Sequence, residues 1–119
     1  MPPTPSEFLS GHGPMIAAIR SHLGLSRPEL GALLGFSSDT ITSWEVGRRQ
    51  VPSSVLGALH ELQERADQEV IAAVTSAAAR AGHYELDASP DAMPLGWQRH
   101  IAARAAKTHP RLRLVGPDA

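Results

Sequence analysis

Apolar residues recur along this chain at helical spacing, in short runs punctuated by glycine and proline. Pro14 is suited to the first position of a helix. Ile16, Ile19 and Leu23 follow on one face and Gly24 stops it. Ser26, Pro28 and Glu29 form an N-terminal signature with a capping box, opening a second helix with apolar positions Leu30, Leu33 and Leu34 and a stop at Gly35. Only Phe36 separates that glycine from Ser37, the next N-cap, so two short helices must cross steeply. Gly31 lies on the side of the second helix that the third must approach, and Ile41 and Trp44 supply the third helix's buried edge before Gly47 ends it. Pro52 opens a fourth helix with Val55, Leu56, Leu59 and Leu62 inward. Its spacing continues more weakly through Ala66, Val70, Val74, Ala77 and Ala81, as one helix over 53–81 or two meeting near Gln63. Gly82 ends this stretch. "HYEL" and "RLRLV" alternate like short strands, and "PLGWQRHIAARAAK" between them reads as a helix. The expected fold class is mainly α: an N-terminal helical bundle followed by a small helical extension with two short strands.

The third helix is unusual in its outward positions. Ser37, Ser38, Asp39, Thr42 and Ser43 give it a face of short hydroxyls and one carboxylate. Chemistry elsewhere is sparse. The chain has 119 residues and no cysteine, which excludes disulfides and thiolate metal sites and fits a cytoplasmic setting. Its six histidines show no metal-ligand spacing, and there is no phosphate loop or nucleophile elbow, so no catalytic, metal or cofactor residue is expected. No run approaches the ~18 apolar residues of a membrane span. Residues 1–13 lack a signal pattern and read as a proline-rich disordered tail, as do the last few residues. The net charge of −1 is unevenly placed. Residues 63–94 carry Arg65 and Arg80 against Glu64, Asp67, Glu69, Glu85, Asp87 and Asp91, whereas 95–115 carry Arg99, Arg104, Lys107, Arg111 and Arg113 with no acid.

Over residues 14–62, "LGLSRPELGALLGFSSDTITSWEVGRRQVP" resembles the helix-turn-helix domain of the phage repressor and Cro (XRE-like) family. Gly31 matches the small residue of its second helix, Gly35 the turn glycine and Ile41 the buried aliphatic. "SWEVGRRQVP" is similar to the family's WE-x-G ending with basic residues and a proline. The resemblance implies that the third helix enters the major groove of double-stranded DNA, where hydroxyls serve as donors or acceptors and the Thr42 methyl meets thymine. The reading residues would then be Ser37, Ser38, Asp39, Thr42 and Ser43. Asp39 either accepts from cytosine N4 or simply favours the helix N-terminus. Arg27, Arg48 and Arg49 match the family's phosphate-contacting positions, with Arg48 and Arg49 alternatively covering the end of the third helix. Arg20 and Glu45 match its structural ion pair.

Between residues 15 and 62, Arg20, Arg27, Arg48 and Arg49 balance Glu29, Asp39, Glu45 and Glu61, so one copy should bind DNA weakly. "VPSSV", the long helix and "LGW" are similar to anti-CRISPR-associated repressors, in which a dimerising domain follows the DNA-binding one. This implies that residues 63–119 form a dimerisation or partner region. Leu95, Trp97, Ile101, Leu112 and Leu114 are more than the small N-terminal core can bury, so a partner chain should cover several of them, with Val70 and Val74 also expected at the interface. The expected function is a homodimeric transcriptional regulator, most simply a repressor, reading an inverted repeat with half-sites about 34 Å apart. The alternative is an antitoxin-like protein that binds a partner protein through its C-terminal half and represses its own operon.

Overall fold

The computed structural model describes residues 12–116, which form a mainly helical chain of six helices and one two-stranded sheet. They fall into two compact units that divide between Leu62 and Gln63. Most of the expected N-terminal tail lies outside the described residues, but His12 and Gly13 are helical and belong to α1 (His12–His22). No helix among the described residues is long and apolar enough to cross a membrane.

The first unit contains α1, α2 (Arg27–Leu34), α3 (Ser38–Glu45) and the start of α4 (Ser53–Thr75). The capping box of α2 forms as its sequence dictates: Glu29 N–H donates to Ser26 Oγ at 3.2 Å, and Ser26 N–H donates to Glu29 Oε1 at 2.8 Å. Gly35 closes α2 in the left-handed conformation at φ 81°, its N–H bonded to Gly31 O. The unit's core gathers Ile16, Leu23, Leu25, Leu30, Ile41, Trp44, Val51, Val55 and Leu59, all at most 7% exposed. Leu33, expected inward, is 38% exposed, because the inward side of α2 is centred on Leu30 and Gly31.

Two glycines permit the close packing. A Cβ on Gly31 would lie 2.4 Å from Phe36 O, so the backbone pressing on α2 is that of the turn into α3. A Cβ on Gly13 would lie 2.3 Å from Trp44 O, at the end of α3.

Helix α4 passes through residue 63 without a break and ends at Thr75, short of the expected 81. The interruption is made by Ser76. Its hydroxyl donates to Ala73 O at 2.7 Å and accepts from Ala79 N–H at 3.1 Å, terminating one helix and capping the short α5 (Ala77–Arg80).

The second unit comprises the rest of α4, α5, β1 (His83–Glu85), α6 (Leu95–Ala105) and β2 (Arg113–Val115). The strands pair in parallel, His83 with Arg113, Tyr84 with Leu114 and Glu85 with Val115. A parallel pair requires a crossover, which α6 supplies. Trp97, Ile101 and Ala105 fall at four-residue spacing on α6 and are buried with Ala66, Ala79, Leu86 and Ala102. The Trp97 indole N–H donates to Glu69 Oε1 at 2.9 Å, and Arg65 donates to Glu69 Oε2 at 2.8 Å.

This corrects the expected interface at Trp97 and Ile101. Trp97 is 0% and Ile101 1% exposed within a single chain, because the unit has a core of its own to receive them. Val70, Val74, Leu95, Leu112 and Leu114 are half-buried.

Gly31→Ala should lower the unfolding free energy by about 1–3 kcal/mol, since the added methyl meets backbone that must move. Gly57→Ala, at an open helical position of α4, should raise it by about 0.5–1 kcal/mol. Chemical denaturation of both variants checks the pair.

Candidate nucleic-acid interface

Helix α3 is held from behind and at both ends. At its start Ser37 has an extended backbone and accepts from Thr40 N–H at 3.1 Å, and its Oγ lies 2.9 Å from Thr40 Oγ1. Along its inner side Ile41 is 0% and Trp44 3% exposed, with the Phe36 ring edge-on to the indole at 4.8 Å. At its end Gly47 adopts φ 81°, and the N–H groups of Arg48 and Arg49 both donate to Ser43 O, at 2.8 and 3.2 Å.

The Glu45 carboxylate is only 2% exposed, the deepest charge among the described residues of the unit. Arg20 grips it with two bonds, Nε to Oε2 at 2.7 Å and Nη2 to Oε1 at 3.0 Å, while its Nη1 donates to Leu25 O at 3.0 Å. Arg27 Nε adds a bond to Oε1 at 2.9 Å. One carboxylate therefore fastens α3 to α1 and to α2 together. Burial pushes the Glu45 carboxyl up, but the hydrogen bonds and charges of Arg20 and Arg27 outweigh it and hold the carboxyl below its ordinary value. The Glu45 hydrogen bond raises Arg20 in turn, against the opposing effect of burial.

The sequence-derived reading residues separate into two groups. Ser37 and Thr42 spend hydroxyl bonds on the helix itself: Ser37 as the cap, Thr42 by donating to Ser38 O at 3.1 Å. Ser38 and Ser43 are half-buried and Asp39 is exposed in the first turn, where the macrodipole favours a carboxylate. Arg48 and Arg49 are exposed just beyond the helix. It is their backbone, through the bonds to Ser43 O, that satisfies the helix end. Arg27, expected at phosphate, donates through Nε to Glu45 and keeps 40% of its side-chain surface open. Two contributors were hidden in the sequence. Gly13 falls in the expected proline-rich tail, and Thr40 is one hydroxyl among several, with the S-x-x-T spacing from Ser37 as its one signal.

Among the described residues, no group of three His, Asp or Glu side chains is placed to hold a metal ion. The chain matches no family model, and no curated protein or solved structure matches it.

The Glu45 contacts predict a pH-dependent stability. The folded carboxyl binds its proton more weakly than the unfolded one, so its contribution is complete above the ordinary glutamate range and is lost as pH falls through the lowered folded value. Glu45→Gln should be less stable by about 3 kcal/mol at neutral pH, as for a broken buried pair. The gap to wild type should close on acidification, which thermal melts across the acidic range would follow.

Proposed function

We propose that this chain is a sequence-specific regulator of transcription that binds double-stranded DNA as a homodimer. Helix α3 is its reading element and an inverted repeat its operator. The observation that carries the reading is the two-sidedness of α3. All its large apolar side chains and its one buried carboxylate are used on the scaffold side, leaving Ser38, Asp39, Ser43 and the Thr42 methyl as short groups suited to base edges. An eight-residue helix buried on one side is short enough to lie in the major groove.

Thr42 uses its hydroxyl proton on Ser38 O and Ser37 caps the helix, so the hydroxyl donors left for base edges are those of Ser38 and Ser43, with Asp39 as an acceptor, while Thr42 contributes its methyl to a thymine. Arg48 and Arg49 supply phosphate contacts. Arg27 adds to them with the part of its guanidinium not used on Glu45. The cluster of Arg20, Arg27 and Glu45 retains one net positive charge, which favours a polyanion.

Ser43→Ala should keep the fold and alter base preference, with a loss of about 1–3 kcal/mol of discrimination at one operator position. Selection from a random duplex pool, repeated with the variant, is the measurement; identical preferred sites would overturn the reading role of α3. Arg48→Ala should instead weaken binding to all sequences alike and lower the salt dependence by roughly one counterion. A salt titration of binding to specific and scrambled duplexes separates the two behaviours.

A further inference from the structure

The small sheet of the second unit has an edge whose chemistry matches itself. Arg113 N–H donates to Gly82 O at 2.9 Å, and Leu86 N–H donates to Val115 O at 2.8 Å. With the register of the ladder, these two bonds fix its phase: Gly82, Tyr84 and Leu86 turn their backbone groups towards β2. His83 and Glu85 alternate with them and turn both N–H and C=O the other way. In a parallel ladder of this register the bonds to β2 come from Gly82, Tyr84 and Leu86, so these four groups take no part in it. The His83 and Glu85 side chains are exposed, whereas Tyr84 is half-buried. A sheet of only two strands is marginal alone, and an open edge is a template for another strand.

We propose that β1 pairs antiparallel with β1 of a second copy about a two-fold axis at Tyr84, giving a four-stranded sheet across the dimer. This deepens the homodimer reading above and rests on it. The axis sets His83 opposite the partner's Glu85 and Glu85 opposite the partner's His83. These are the residues whose backbone groups face outward, so each pair exchanges two N–H···O=C bonds, four in all. It also sets an imidazole beside a carboxylate at both places. Moving the axis to His83 or to Glu85 would set each of those residues against its own copy, and at Glu85 two carboxylates would meet. The outer edge of β2 is the weaker candidate. Between its ends it presents only Leu114, which gives two bonds about a two-fold and sets Arg113 opposite the partner's Val115. Both hydrogen-bond phase and charge therefore select β1.

Sedimentation of the full-length protein over a concentration series tests this. Glu85→Pro removes an outward N–H and no bond of the ladder to β2, so circular dichroism should be unchanged while the dimer dissociation constant rises about tenfold or more. Glu85→Lys should weaken the dimer about threefold to tenfold, and adding His83→Glu should restore it, because the opposed pairs become complementary again. A monomeric wild-type protein at micromolar concentration would overturn both this pairing and the homodimer reading. A wild-type dimer that Glu85→Pro leaves intact, or a Glu85→Lys loss that His83→Glu does not rescue, would overturn the β1 pairing and leave the homodimer reading standing.

Discussion

Everything about α3 depends on one buried carboxylate. Glu45 is removed from water by the helices around it, and a charge in that position must be compensated where it sits. Arg20 and Arg27 do this from two different helices, and Arg20 also bonds Leu25 O in the link between them. Fixing this one charge therefore fixes α1, α2 and α3 relative to one another. The directional, bidentate contact sets rotation as well as distance, which apolar packing through Ile41 and Trp44 would leave looser. With its orientation decided from behind, α3 has no need of apolar residues in front. Its outward face is open to hydroxyls and a carboxylate.

Close packing makes that arrangement possible. The backbone turn into α3 rests on Gly31, and the carbonyl of Trp44 rests on Gly13, at separations no Cβ would tolerate. Small residues bring the ends of α3 near enough for arginines of ordinary length to reach Glu45. The turn between α2 and α3 is short for the same reason, with Gly35 in the left-handed conformation and Ser37 already capping the next helix.

The second unit resolves the uneven charge of the C-terminal half. The acidic stretch and the basic stretch that follows it meet in space: Arg104 donates to Asp67 at 2.7 Å, and Glu69 receives both the Trp97 indole and Arg65. This exposed pairing is worth little in stability. Its significance is that a basic run with no acid among its sequence neighbours finds one on α4, Asp67. The parallel pairing of β1 and β2 buries Tyr84 and Leu114 only in part and leaves His83 and Glu85 at an edge, so the unit's open chemistry is backbone rather than side chain.

What residues within a few positions of one another decide was legible in the sequence: the capping box of α2, the Gly35 stop, the Ser37 cap, the inward line of α4 and the two strand-like segments. These follow from backbone hydrogen bonds and side-chain periods that repeat every few residues. The Arg20–Glu45 pair joins residues 25 apart, which spacing alone does not relate. Tertiary structure decided the rest. Arg27 lies 18 residues from the carboxylate it holds and Trp97 lies 28 from Glu69, so neither commitment has a local signature. Which hydroxyls α3 spends on itself depends on rotamers that composition does not specify. The burial of Trp97 and Ile101 depended on whether 57 residues close a core of their own. Periodicity marks an apolar face but not what covers it, because the covering surface is assembled only when distant segments meet.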